Sequence, residues 1–189
     1  MKKKLMKYGI FMIMLCFASC SSCKKEVNAL PPETQSGANT FGCLVDGRAW
    51  IPTGTNAIGS KPISGGYIAA LPPIYSNATN ISLLTSRDNE RISFYIRNVD
   101  RVGTYPLNFN TQPEPASLYP QNYGGFISYY TGGGDFYMTT TTYTGSVEIT
   151  RADSVNRIVS GRFSFTGVSS IGKTIKITDG RFDLNSNTQ

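Results

Sequence analysis

The chain has 189 residues, 18 Lys+Arg against 12 Asp+Glu, and a formal net charge of +6. Four of the cations, Lys2, Lys3, Lys4 and Lys7, precede an apolar run that marks a cleaved leader, which leaves 14 cations against 12 anions and a net of +2 beyond residue 19. That balance removes the electrostatic motive for nucleic-acid binding, and the lack of histidine excludes Ser-His-Asp triads, Cys-His pairs and His-based zinc sites.

Gly9 to Ser19 is an apolar stretch of 11 residues, too short for a bilayer that needs about 20. With its lysine-rich start it reads as a signal peptide over residues 1–19. Its end, Leu15-Cys16-Phe17-Ala18-Ser19-Cys20, resembles the bacterial lipobox, whose cysteine is acylated and becomes the first mature residue. The resemblance makes Cys20 the lipidation site and the membrane a partner through that lipid. Two or more acyl chains, at about 0.8 kcal/mol per CH₂, anchor a protein stably.

Residues 20–39 are polar and proline-bearing, with too few apolar side chains for a core, and are expected to form a flexible tether. Lys24-Lys25-Glu26 resembles the short charged signals that send Bacteroidetes lipoproteins to the cell surface. The expected location is the outer membrane, on its outer or periplasmic face. Cys23 lies in the tether and Cys43 in the first expected strand. An oxidising compartment permits a disulfide between them, but their different settings favour a buried Cys43 and an idle Cys23.

From Thr40 onward no segment of 10 or more residues has a 3.6-residue apolar period, while short β-branched and aromatic runs recur between turn formers. Residues 40–189 are therefore expected to be one all-β domain. Phe41 to Val45 and Arg48 to Ile51 flank Asp46-Gly47, the strongest two-residue hairpin signal, and the register sets Cys43 opposite Trp50. Ile81 and Leu83, then Ile92, Phe94 and Ile96, mark a second hairpin around Arg87 to Glu90. Tyr143 to Thr150 and Val159 to Thr166 alternate apolar and polar residues, so each has one wet face. In the last strand the apolar set is odd at Ile175 and Ile177 but even at Phe182 and Leu184, which predicts a bulge at Asp179-Gly180. Nine to eleven strands around one core suit an antiparallel β-sandwich, with a closed or partly open β-barrel as the alternative.

The segments Phe41 to Pro52, Gly103 to Leu107, Gly145 to Asp153, Arg157 to Phe165 and Ile177 to Asp183, following a lipoprotein leader, resemble the small uncharacterised lipoproteins of Bacteroidetes. The resemblance implies the location and an all-β domain, and it brings no catalytic residues with it.

No cofactor or metal motif is present; the alternating Asp/Asn run and closing Glu of a calcium loop are missing. A carboxylate-only glycoside hydrolase needs two acids at a set separation. Asp46, Asp88 and Glu90 read as turn residues and Glu148 as a solvated strand residue, while Asp135, Asp179 and Asp183 fall in no motif. An enzyme is therefore not expected. Aromatic residues are the more informative excess. Tyr119, Tyr123, Tyr129, Tyr130, Tyr137 and Tyr143 lie within 25 residues that also hold Gly124-Gly125 and Gly132-Gly133-Gly134. Tyrosines on a glycine-flexed surface suit stacking on sugars or contact with a protein, and the alternative is cross-strand packing. Tyr129 and Tyr130 must point to opposite faces of a strand. The candidate ligand-contacting residues are Tyr119, Tyr123, Tyr129, Tyr130, Tyr137 and Trp50. Asp153-Ser154-Val155 resembles the O-glycosylation acceptor of Bacteroidetes, with Ser154 as its site. The function expected is that of a lipid-anchored envelope protein with a binding or structural role, glycan or protein binding through the Tyr-rich surface being one form of it, with a pilin-like subunit or a carboxylate-only hydrolase as alternatives.

Overall fold

The computed structural model describes residues 28–54, 61–68, 79–110 and 121–189. The signal peptide, Cys20, Cys23 and Tyr119 lie outside the described residues. No helix among those described is long and apolar enough to cross a membrane.

Asp46 and Gly47 take φ of +47° and +82°, the left-handed pair that a type I′ turn requires, and they join β1 (Thr40–Val45) to β2 (Arg48–Trp50) with Cys43 opposite Trp50. β3 (Ile63–Tyr67) pairs with β4 (Ile81–Arg87), and β4 pairs through the Asp88-Asn89 turn with β5 (Glu90–Ile96). β6 (Gly103–Leu107) pairs with β9 (Gly145–Asp153); β7 (Tyr123–Tyr130) and β8 (Gly133–Met138) form a hairpin beside β5. β10 (Ile158–Val168) and β11 (Thr174–Asn185) are the longest strands, and β10 lies between β9 and β11.

All the pairings between strands are antiparallel, and the strands join in one sheet ordered β2-β1-β11-β10-β8-β7-β5-β4-β3, with β9 and β6 branching from β10. The all-β reading holds. The architecture is a curled sheet forming a half-barrel, so of the two arrangements expected it is the partly open barrel rather than two separate sheets. One backbone bridge explains why: Val168 at the end of β10 pairs with Met138 at the end of β8, making the sheet continuous where a sandwich would be split. Beyond β2 the chain reaches the other limb, where Gly54 bridges Arg87 and the amides of Thr53 and Gly54 donate to the Ser86 carbonyl at 3.1 and 3.0 Å.

The core lies between the limbs. Phe94 of β5 packs on Phe163 of β10 (centroids 5.4 Å apart) and on Phe182 of β11 (5.3 Å), while Phe163 stacks on Phe41 of β1 at 5.0 Å. The expected bulge is present. β10 advances from Phe163 to Phe165 while β11 spans Gly180 to Ile177, and β1 records the same extra residue. Asp179 absorbs it at φ +52°. Ile175, Ile177, Phe182 and Leu184 consequently all face the core, and Arg181 and Asp183 share the outer face.

The tether expected at residues 20–39 needs correction in its second half. Leu30 is buried and residues 31–38 lie across the outer face of β11, β10 and β9. Arg181 donates to the Pro31 carbonyl (3.4 Å), Arg162 to the Glu33 carboxylate (2.6 Å) and Arg151 to the Gln35 carbonyl. Polar composition suggested a solvated chain, but these donors satisfy the segment's polar groups on the sheet.

Candidate functional site

The five ligand-contact candidates among the described residues do not form one surface. Trp50 is only 2% exposed; its indole N–H donates to the Glu90 carboxylate at 2.7 Å and its ring meets Phe41 edge-on. Trp50 is thus a core residue and Glu90 its acceptor. Tyr123 is likewise buried and stacked on Tyr95 at 6.4 Å. Tyr137 is half-buried against the core, with its ring 6.1 Å from that of Phe126. Cross-strand packing therefore accounts for these three. Cys43, opposite Trp50, is a buried free thiol whose pKa is pushed up by burial and by the nearby Glu90 carboxylate, leaving it unreactive.

Tyr129 and Tyr130 do point to opposite faces, next to the turn of the β7–β8 hairpin. Each ring lies over the glycine across the ladder: Tyr129 pairs with Gly134 and Tyr130 with Gly133. A Cβ at either glycine would stand 3.3 Å from the ring opposite, so the glycines provide the space that lets the rings lie along the hairpin. Tyr129 meets Phe136 edge-on at 6.2 Å and carries the Arg91 guanidinium 5.2 Å from its ring centre. Tyr130 is 58% exposed.

The edge of this hairpin and the β10–β11 turn border a groove of about 610 Å³, lined by Tyr130 and Asp135 from one face of the hairpin, by Phe136 from the other, and by Ser169, Ser170 and Ile171. Phe136 is 40% and Ile171 71% exposed. The turn is well fixed: the Ser169 amide donates to the Lys173 carbonyl at 2.8 Å, and the Lys173 amide to the Ser169 hydroxyl at 3.1 Å. Tyr130 and Ile171 thus stand beside one carboxylate and two serines, which combines apolar stacking surface with hydroxyl-binding groups, while Phe136 borders the groove from the Tyr129 face. Sequence reasoning found the tyrosines but missed Phe136, Asp135 and the turn. The available signal was Ile171 itself, an apolar residue in a Ser-Ser-Ile-Gly turn with no strand to bury it.

A second groove, of about 400 Å³, runs along the outer face beside residue 33 and contains Glu33, Glu148, Arg162, Asp179 and Arg181. Arg162 lies within 2.6 Å of Glu33 and 3.5 Å of Glu148. Its hydrogen bond holds the Glu33 carboxyl below the usual carboxylate range. A glycosidase general acid needs the opposite, a carboxyl kept protonated near neutral pH, so this pair is suited to fastening residue 33 to the sheet. Among the described residues no group of three or more Cys, Asp or Glu is placed to hold a metal ion.

Ser154 is exposed in the turn joining β9 to β10. Asp153 shapes that turn: its carboxylate accepts from the Asn156 amide and side chain, both at 2.9 Å, and pairs with Arg151 at 2.7 Å. These contacts, the Asn156 bonds foremost, lower its pKa to about 2.

No curated protein and no solved structure matches the chain. A sequence profile for a domain of unknown function, DUF6252, matches residues 74–183, running from ahead of β4 to Asp183 in β11. That match covers more than half of the sequence, and the chain belongs to the DUF6252 family.

Proposed function

We propose that this protein is a lipid-anchored component of the bacterial outer membrane, of the Bacteroidetes lipoprotein type, which binds a glycan in the groove between the β7–β8 hairpin and the β10–β11 turn. One observation carries the binding reading: the exposed Tyr130 and Ile171 line one groove with Asp135, Ser169 and Ser170, and Phe136 reaches it from the other face of the hairpin. An aromatic ring accepts the C–H face of a pyranose, and a carboxylate with hydroxyls takes up the sugar's O–H groups. An exposed apolar cluster rimmed by polar groups is otherwise a liability for a soluble domain. The anchor reading rests on the lipobox-like sequence ending at Cys20.

Two experiments test the two parts. Cys20→Ala is expected to move the protein from the membrane to the soluble fraction, or to leave the precursor unprocessed; a normally processed variant that stays on the membrane overturns the anchor. On a polysaccharide array the soluble Cys20→Ala protein is expected to bind. Adding Tyr130→Ala or Ile171→Ala should weaken that binding at least about tenfold, equivalent to about 1.4 kcal/mol, without changing the melting temperature. A blank array, or binding that survives both substitutions, ends the glycan reading.

A further inference from the structure

Residues 31, 33 and 35 are held by arginines from three successive strands: Arg181 of β11, Arg162 of β10 and Arg151 of β9. The residues that follow turn around a single carboxylate, that of Asp183, which is 1% exposed. It accepts from the Thr34 hydroxyl (2.7 Å), the Ser36 amide (3.0 Å) and hydroxyl (3.3 Å), the Gly37 amide (2.8 Å), the Ala38 amide (3.1 Å) and the Ser160 hydroxyl (2.7 Å). Three of the six donors are backbone amides of consecutive residues, so the segment wraps the carboxylate as a nest wraps an anion. The segment also fits only over a glycine: a Cβ at Gly42 would stand 2.6 Å from Pro31 Cδ.

We propose that residues 30–39 are a clasp, locked on Asp183, which fastens the chain leaving the membrane to the outer face of the sheet and so fixes how far the domain stands from its anchor. With the clasp closed, only Cys20 to Ala29 separate the lipid site from the body, a reach of at most about 35 Å for ten extended residues. With it open, the ten residues of the clasp itself join the spacer and the reach doubles. The statement about reach rests on the lipid-anchor reading, whereas the clasp does not, so the two fail separately.

The test uses a protease that cuts after glutamate on the full chain, following cleavage between Glu33 and Thr34. Cleavage within a clasp that must open first follows the population of the open form. The intact protein is expected to be cut at least about tenfold more slowly than a free peptide of residues 28–39. Asp183→Asn removes the charge and replaces one of the two acceptor oxygens with an NH₂ that cannot accept, which should bring the rate close to the peptide's, while the emission of Trp50, on the far side of the sheet from the clasp, reports that the body remains folded. Should Asp183→Asn fail to fold, Gly42→Ala lifts the segment at Pro31 without touching the carboxylate, and it too should speed cleavage. Cleavage of the intact protein at the peptide's rate, or protection unchanged in the variant that folds, overturns the clasp.

Discussion

At Asp183 two effects oppose each other. Burial disfavours the ionised carboxylate, but hydrogen bonds from Thr34, Ser160 and the amides of Ala38 and Gly37 outweigh it and bring the pKa down to about 2. A carboxylate with a depressed folded-state pKa contributes stability above its unfolded value of about 3.9, and loses it as pH falls through the folded value. The contribution is about 2 kcal/mol at neutral pH, lost between about pH 4 and pH 2. Asp183→Asn should therefore have a lower urea midpoint than the natural chain at pH 7, and the gap should narrow steadily as pH approaches 2. Asp153 also titrates near 2, but it is present in both proteins and cancels in the comparison. A gap that does not change with pH would mean that the carboxylate is not the charged acceptor described.

At the same scale, the burial of Trp50 was available from the strand pairing, although Trp50 was counted among the ligand contacts. Residues directly opposite in an antiparallel pair share a face, so a buried Cys43 implies a buried Trp50, and the Asp46-Gly47 signal had already paired them. Asp183 was not legible: its donors lie 145 to 149 positions away, or 23 in the case of Ser160, and nothing in the local pattern distinguishes it from a solvated strand carboxylate.

Among the elements, those set by local chemistry were readable. A two-residue turn between alternating strands, or a phase change in an apolar pattern, is recorded in neighbouring residues, and the hairpins and the β11 bulge followed from it. Segment 30–39 is organised differently. It makes no ladder and buries little apolar surface apart from Leu30; its order comes from arginines and a carboxylate on three strands that reach it only after the sheet has formed. Composition describes such a segment as it is in the unfolded chain. The aromatic groove falls between these cases, because the hairpin that carries Tyr130 and Phe136 is local whereas its opposing wall, the β10–β11 turn, arrives through the Val168 to Met138 contact.

For the molecule as a whole, that contact poses a question of cooperativity. Two limbs joined by the Val168–Met138 bridge on one side and the Gly54–Arg87 bridge on the other could unfold separately unless the core between them binds them more strongly than the backbone does. Phe94 decides this, because it belongs to β5 in one limb and touches Phe163 and Phe182 in the other while being fully buried. Truncating a buried phenylalanine costs about 3–5 kcal/mol, a large share of the 5–15 kcal/mol that holds a typical domain together. The molecule contains its own reporters: Trp50, the single tryptophan, lies beside β1, and the stacked Tyr95 and Tyr123 pair lies in the opposite limb. In Phe94→Ala the tryptophan emission and the near-ultraviolet tyrosine dichroism are expected to shift to lower urea together, with one midpoint. If the tyrosine signal moves while the tryptophan signal stays, each limb has its own stability, and the shared core does not unite the half-barrel.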